Sequence, residues 1–443
     1  MKLKVGLLSI GFSNFRYDIA EEYLLETAKN ISNFDKVELL YSDKVLMEED
    51  DVLKELDRFG SEQIDLLICQ VGTFTMGANM VNIIKKMQHV PLFLCGFRDP
   101  IVEDYNTIPL NSLTGFNMFT SFLSKFKKKF SFIYGSLEEP RFMNKISTTI
   151  DALYVKKELE NAKFCVVGSR VPGFYLSEVD QLTFRDVVGP RVSYWSVGQV
   201  VEAAKKINQS RVDTEIATFN KILITTTNEM LEKNVRIYLA IRDYQKENNI
   251  SAFSIKCWPE FQELYNTAVC FVLSKLTDNG IMTSCEGDIT GLATMFMQYK
   301  LSGKIPFFTD LVNISQSGSI KAWHCGQGPE SLADSDIEYC EHPTMKSGLG
   351  TSVQYTMKTG NLNMTKLSEG SGEYKLFNLK GHSVEVDREL MGTQTDIVFE
   401  KDIESILDTI VEEGIEHHYS IVHEDLTEVL IEWCKWSNIK YIK

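Results

Sequence analysis

The chain has 443 residues, 44% of them hydrophobic and 24% charged, the texture of an ordinary globular protein of two or three domains. Asp and Glu (61) outnumber Lys and Arg (46), for a net charge of −15, which argues against general nucleic-acid binding because that draws its affinity from neutralising phosphates. No run of about 18 apolar residues is present to span a bilayer as a helix, so no membrane partner is expected.

Alternating apolar strands and amphipathic helices fill the first 300 or so residues. Met1 to Leu8 has the basic start and apolar stretch of a short signal peptide. No small-x-small cleavage site follows, and Arg16, Asp18, Glu21 and Glu22 come soon after, so Lys4–Ser9 reads as a first strand and the protein as cytoplasmic. Ala20–Ile31 has helical periodicity, Val37–Tyr41 is a strand and Glu49–Arg58 a helix. Ile64–Gln70 is a third strand, ending in the loop Gly72–Gly77. A helix through Ile83–Met87 leads to the strand Pro91–Gly96, and Phe130–Gly135 repeats the pattern. Strands separated by helices of this length imply parallel βαβ units.

Lys145–Leu159 reads as a connecting helix into a second α/β unit that runs from the strand Phe164–Gly168 through Phe253–Cys257 to Gly280–Glu286. Beyond residue 305 the texture changes. Turn clusters at Ser315–Gly318, Ser347–Gly350 and Gly370–Gly372 alternate with short strand-like segments (Ser352–Met357, Asn361–Leu367, Tyr374–Lys380), the composition of an antiparallel region. The tail returns to helix, strand and helix at Lys401–Glu413, His418–Val422 and Asp425–Trp436. The expected fold is α/β. Two doubly wound parallel α/β domains (1–150 and 151–305) precede a C-terminal antiparallel β-rich domain with terminal helices (306–443).

Several familiar motifs are missing. Gly168-Ser169-Arg170-Val171-Pro172-Gly173 follows a strand but lacks the Gly-Lys-Ser/Thr ending that holds phosphate and magnesium, so it reads as a plain strand-to-helix turn. No Gly-x-Ser-x-Gly elbow occurs. Lys125–Lys129 reads as a solvated helix end. The nine cysteines form no C-x-x-C pair and sit mostly in apolar runs, as reduced core residues do.

Chelating residues gather in three segments. Glu286 follows a strand in Cys285-Glu286-Gly287-Asp288-Ile289-Thr290-Gly291, Asp310 ends the apolar run Pro306-Phe307-Phe308-Thr309-Asp310, and His418 lies in Glu416-His417-His418-Tyr419, where a helix hands over to a strand. His324 stands beside them in Trp323-His324-Cys325-Gly326. Carboxylates at the C-terminal ends of strands converge on the crevice where α/β proteins bind ligands. Two carboxylates with imidazole form an oxygen and nitrogen donor set suited to Mn²⁺, Mg²⁺ or Co²⁺. Each residue alone also has a bland reading: Glu286 as a structural carboxylate, Asp288 as a helix N-cap, Asp310 as a loop residue, His324 as a structural hydrogen-bonder and His417-His418 as a surface pair.

These segments resemble the L-fucose and L-arabinose isomerase superfamily of metal-dependent ketol isomerases. Glu286-Gly287-Asp288-Ile289-Thr290-Gly291, Leu301-Ser302-Gly303 and Phe308-Thr309-Asp310 are similar to the fucose-isomerase block that carries a catalytic glutamate and aspartate. His417-His418-Tyr419 is similar to the arabinose-isomerase segment whose second histidine binds metal. Trp323-His324-Cys325-Gly326 resembles the His-Cys-Gly loop of shorter homologues. Phe74, in Phe74-Thr75-Met76-Gly77, falls at an aromatic substrate contact and Arg16 at an N-terminal arginine. Two features depart from the pattern: Lys256 stands where fucose isomerases have a substrate-binding glutamine, and the second glutamate of arabinose isomerases is not evident.

The resemblance implies aldose–ketose isomerisation through an enediol. Glu286, Asp310 and His418 would hold Mn²⁺ or another divalent cation, with Glu286 and Asp310 as the acid/base pair. His324, Lys256, Arg16 and Phe74 would contact the sugar. It also implies a homo-oligomer, trimeric or hexameric, in which Arg16 and Phe74 reach a neighbour's site. A neutral fucose- or arabinose-like sugar is the family default. The alternative is an anionic sugar such as sulfoquinovose, paired by Lys256, Arg16 and Arg98. A third reading is a non-catalytic sugar-binding protein, which would need no joint metal site.

Overall fold

The computed structural model describes residues 1–102, 107–219, 222–315, 318–342, 349–370 and 372–443. The turn clusters expected at 315–318, 347–350 and 370–372 lie partly outside these residues. Two compact units, Met1–Lys157 and Glu158–Lys443, divide the chain.

The first unit alternates strand and helix without a break: β1 (Leu3–Ile10), α1 (Tyr17–Ser32), β2 (Val37–Tyr41), α2 (Glu49–Ser61), β3 (Leu66–Val71), α3 (Gly77–Lys86), β4 (Leu92–Phe97), α4 (Ser112–Lys125) and β5 (Phe130–Gly135), followed by α5 (Pro140–Asn161), which runs across the division. The strands form one parallel sheet in the order β2-β1-β3-β4-β5. β3 and β4 are buried along their whole length, as central strands covered on both faces must be. The order reverses between β1 and β3, so the loops after these two strands flank the crevice where such sheets bind ligands. The basic run expected as a solvated helix end begins at the last residue of α4, but Lys128 is not solvated. Its Nζ donates to the carbonyls of Met87, Gln88 and Val90 at 2.8, 2.8 and 2.6 Å, which closes the end of α3.

The second unit contains β6 (Lys163–Val167), α6 (Gln181–Val187), β7 (Arg191–Trp195), α7 (Val197–Lys205), α8 (Gln209–Ile216), β8 (Leu223–Ile224), α9 (Asn228–Asn248), β9 (Ala252–Ile255), α10 (Glu260–Tyr265), α11 (Cys270–Asp278), β10 (Thr283–Cys285) and α12 (Ile289–Ser302). Its parallel sheet has the order β10-β9-β6-β7.

The remaining strands are β11 (Phe307–Ile314), β12 (Ile320–His324), β13 (Glu338–Glu341), β14 (Thr351–Thr356), β15 (Gly360–Gly370), β16 (Glu373–Val384), β17 (Thr393–Phe399), β18 (His418–Val422) and β19 (Lys440–Ile442), with helices α13 (Ile403–Glu413) and α14 (Thr427–Ser437). β16 pairs with both β15 and β17, which closes β16-β15-β18-β11-β12-β17 into a six-stranded antiparallel barrel. The region is not antiparallel throughout: β8–β13, β14–β17 and β16–β19 are parallel pairs at its margins.

Helix α12 joins the two layers of this unit. Its residues Ile289 through Gln298 are all buried, and it touches β9 and β10 of the parallel sheet and β15 and β18 of the barrel. A helix apolar on every side is covered on every side. Gln298, its one buried amide, donates to Thr365 Oγ1 and the Ser420 carbonyl and accepts from Ser420 Oγ, so the helix is tied to β15 and β18 without an unpaired group. Among the described residues no helix is long and apolar enough to cross a membrane.

Candidate metal and catalytic site

Glu286 leaves β10 in a left-handed conformation (φ 59°), followed by Gly287 (φ 76°). The strand therefore ends at Cys285, short of the expected Gly280–Glu286. Glutamate is rare in this region of backbone space, and the strain of about 1–3 kcal/mol is sustained only where surrounding structure fixes it. Position 287 admits no side chain, since a Cβ there would lie 2.8 Å from the Ser169 carbonyl oxygen. Asp288 then caps α12, its Oδ1 accepting from the Gly291 N–H at 2.7 Å and Thr290 Oγ1 at 2.9 Å.

Asp310 and His418 meet through strand register. They stand directly opposite each other in the antiparallel pair β11–β18. Phe308, two residues before Asp310 and so on the same face of β11, packs against the His418 ring, tilted by 43° at 4.7 Å between centroids. His418 Nε2 lies 3.3 Å from Glu286 Oε2 and 3.8 Å from Asp310 Oδ1. The neighbouring His417 places Nε2 3.8 Å from Glu286 Oε2. Three segments separated in the sequence thus supply two carboxylates and two imidazoles to one point.

A second layer of residues orients them. His418 Nδ1 is 3.0 Å from Asp288 Oδ2, and on the far side of that carboxylate Lys366 Nζ lies 3.0 Å from Oδ2 and 3.0 Å from Thr290 Oγ1. Both Asp288 and Lys366 are buried. A carboxylate on Nδ1 fixes the proton there and leaves Nε2 as the nitrogen that faces Glu286 and Asp310, the arrangement found behind metal-bound histidines. Asp288 thus proves to be more than an N-cap, and Lys366 was not singled out from the sequence at all. Nothing local distinguishes Lys366, which is one residue of a strand.

The electrostatics separate the two acids. For Glu286, burial raises the pKa, but hydrogen bonds from His417 and His418 outweigh it and hold the carboxyl at about 2. For Asp310, burial prevails over the nearby histidines and raises the pKa. Asp310 Oδ1 is buried and has no hydrogen-bond partner among the described residues. For His418, burial lowers the pKa, while Asp288 and Glu286 raise it to about 9. For Asp288, burial is overcome by the Lys366 charge and by His418, which keep it well below the carboxylate range.

The donor set fits a divalent cation. It has oxygen and nitrogen atoms only, the buried Asp310 Oδ1 lacks a partner among the described residues, and Glu286, His417 and His418 each offer a ligand atom within 4.8 Å of the others. The tautomer fixed by Asp288 presents His418 Nε2 to the same point.

Two other expected residues lie in this unit. His324 ends β12 with its Nδ1 accepting from the backbone N–H groups of Gly326 and Gln327 at 3.3 and 3.0 Å, so a neutral ring carries its proton on Nε2. Its ring centroid is 6.3 Å from that of Phe308. Lys256 follows β9 and is buried with its ammonium paired to Glu260, the first residue of α10. It packs beside Gly168, where a Cβ would lie 3.2 Å from that of Lys256. An aromatic wall absent from the sequence expectations joins these parts. Phe174 meets the His417 ring edge-on at 5.8 Å and the Trp258 ring at 6.4 Å. Its sequence signal, an aromatic residue directly after the glycine-bounded loop of β6, is faint.

Arg16 and Phe74 belong to the first unit. Arg16 caps the start of α1 in the loop after β1, with its guanidinium paired to Asp18 at 2.5 Å. Phe74 lies in the loop after β3, 6.1 Å from Phe15 between ring centroids. Both therefore lie on the loops that flank the reversal of strand order in their own sheet. Arg98, the third cation named for an anionic sugar, is 3.3 Å from Glu139.

No family model matches the chain. It is similar along its length to proteins named sulfoquinovose isomerase. The one from Alkalicoccus urumqiensis is 28% identical, with 100% of this chain and 99% of the relative covered. That from Priestia aryabhattai is 26% identical over 97% of each chain. That from Clostridium sp. (strain MSTE9) is 26% identical over 97% of this chain and 96% of the relative. The expected resemblance to sugar isomerases thus extends along the whole chain. Among solved structures, an ABC transporter solute-binding protein from Burkholderia multivorans aligns with 68% of this chain and 96% of its own at 11% identity, but with a TM-score of 0.19, which supports no inference.

Proposed function

We propose that this aldose–ketose isomerase acts on sulfoquinovose, an aldose bearing a sulfonate, and converts it to the ketose through an enediol. The observation that carries the chemistry is the convergence of Glu286, Asp310 and His418 on one point, with Asp288 aligning the imidazole. The names of the full-length relatives favour the anionic sugar over the fucose- or arabinose-like default, and an enzyme over a passive binding protein.

Glu286, Asp310 and His418, with His417 beside them, would hold a divalent cation, Mn²⁺ by preference for such donors. When bound, the cation supplies Lewis acidity to the sugar carbonyl and its neighbouring hydroxyl. Burial suits Asp310 Oδ1 to take the proton from C2 of the aldose and return it to C1, because its proton affinity is raised while that of Glu286 is lowered. Glu286, ionised at rest, relays the oxygen proton from O2 to O1 and ends ionised again. His324 donates from Nε2 to a sugar hydroxyl. Phe174, Trp258 and the His417 ring shield the reacting carbons from water. Lys256 meets the sulfonate, with Glu260 as the resting partner that the substrate displaces.

The test is an isomerisation assay with added Mn²⁺ on sulfoquinovose, its uncharged parent sugar, L-fucose and L-arabinose. Sulfoquinovose is expected to exceed each neutral sugar at least 100-fold in kcat/KM, about 2.7 kcal/mol of discrimination. Equal turnover of a neutral sugar overturns the assignment.

The working assembly is proposed to be a cytoplasmic homo-oligomer, a trimer or hexamer, in which Arg16 and Phe74 of one subunit complete a neighbour's site. Mixing and reassembling the inactive variants Arg16→Ala and Asp310→Ala should then restore part of the activity. No recovery in verified mixed oligomers rules out shared sites.

A further inference from the structure

Nine free cysteines are present, and eight are buried. Cys270, Cys325 and His342 form a second group whose ligand atoms all lie within 4.8 Å of one another. They come from three elements: Cys270 opens α11, Cys325 follows β12, and His342 follows β13. None of them is used in the isomerase site.

The approach of the two thiols is built into the backbone. A Cβ at Gly326 would lie 2.9 Å from that of Cys270 and 2.6 Å from Ser352 Oγ, so only glycine lets the loop after Cys325 come this close. The loop is then fastened on both sides. The Gly328 N–H donates to Ser274 Oγ, one turn along α11 from Cys270, at 2.8 Å, and Gln327 Nε2 donates to the Thr283 carbonyl at 2.8 Å. The three donors are therefore held by a fixed frame.

We infer that Cys270, Cys325 and His342 form a second metal site, separate from the isomerase centre, that takes a thiophilic cation of the Zn²⁺ type. Two thiolates and an imidazole are a three-ligand zinc set with one position left for water. Tetrahedral bonds of about 2.3 Å to sulfur place such ligand atoms roughly 3.8 Å apart, so closing from the present spacing needs shifts of about 1 Å or less. Cys270 and His342 are buried while Cys325 is half-buried, so the open position faces outward on the Cys325 side. The two thiols divide the proton between them unequally, and the hydrogen bond to Cys325 and burial push the Cys270 thiol well up. Hydrogen bonding from Cys270, with further contributions from His324 and His342, holds Cys325 well below the usual thiol range against the effect of burial. The oxygen-rich isomerase centre and this sulfur-rich one would select different metals.

The role assigned to it is one of positioning, which rests on the place of Cys325 in the chain and not on the ligand set. Cys325 directly follows His324, and its sulfur is 3.9 Å from His324 Nδ1. A cation here clamps the 324–328 loop to α11 and fixes the histidine assigned to the sugar.

Cobalt(II) titration of the full-length, chelator-treated protein in a non-chelating reductant tests the site, because only thiolate ligands give a strong near-ultraviolet charge-transfer band. The expected result is two equivalents bound, one with that band. Cys270→Ser and Cys325→Ser should each abolish the band and one equivalent, while Glu286→Gln should leave the band and remove the other equivalent. In the unaltered protein, Zn²⁺ should slow alkylation of Cys325 at least tenfold. Absence of the band at saturation, its survival in the Cys270→Ser, Cys325→Ser double variant, or unchanged alkylation overturns the site. None of these readouts depends on which sugar the enzyme isomerises.

Discussion

The two parallel sheets each end in loops at their C-terminal edges, but they treat charge differently. At the edge of the first, a charged group is answered from nearby. Asp99 Oδ1 accepts from the N–H groups of Leu110 and Asn111 at 2.6 and 3.0 Å. At the edge of the second, Glu286 is answered from the far end of the chain by His417 and His418, and beside it Asp310 Oδ1, on β11 of the barrel, has no hydrogen-bond partner among the described residues. A charge satisfied by its own neighbourhood stabilises the fold. A buried carboxylate oxygen left unsatisfied beside imidazoles costs stability and is retained where chemistry needs it.

The largest expected break in this contrast is at the acids themselves. Asp310→Asn and Glu286→Gln should each lower kcat by about 10²–10⁴-fold with little loss of folded protein, as steady-state kinetics beside a thermal melt will check. If Asp99→Asn in the first unit lowered kcat as much, the contrast between the two edges would fail.

Asp288→Asn should act one step removed. Loss of the carboxylate behind His418 is expected to weaken divalent-metal binding about 10–100-fold, measured by calorimetry. The same variant has a pH signature in the chelated protein. His418 has its folded-state pKa raised from 6.5 to about 9, so its contribution to stability is fully present below pH 6.5 and is lost as the pH rises through about 9. In Asp288→Asn that alkaline decline should flatten in denaturant titrations. An unchanged decline would mean that Asp288 does not hold the charged ring.

The smallest effect on activity is expected from a charge satisfied within the first unit. Lys128→Ala removes the donor to three carbonyls at the end of α3 and should cost about 1.5–3 kcal/mol of stability while leaving kcat unchanged.

Much of the architecture was legible from periodicity. β5 and β18 occupy the residues read for them, Phe130–Gly135 and His418–Val422, because apolar runs with clear turn signals leave few alternatives. β10 starts three residues later and ends one residue earlier than apolar patterning implies: Gly280 lies in a left-handed turn and Glu286 leaves the strand through another, neither of which that pattern records. The span from 169 to 250 has the texture of α/β but no pattern clear enough to mark its elements, which are β7, β8 and the helices α6 to α9. The antiparallel region was recognised by its turns, but its closure was not, since closing depends on which strand β16 pairs with on its second edge.

Glu286, Asp310 and His418 could be named from the sequence because each sits in a short segment with its own chemical character. Asp288, Lys366 and the Cys270–Cys325–His342 group could not be assigned these partners, having no spacing that advertises them. The amino-acid order by itself determined which stretches become strands and helices, and which carry acids and imidazoles, since both follow from local pattern and residue type. The tertiary structure alone decided which of them meet. Opposition of Asp310 to His418 is a matter of strand register, and the charge state of each acid depends on how much water and how many opposing charges the completed fold leaves around it.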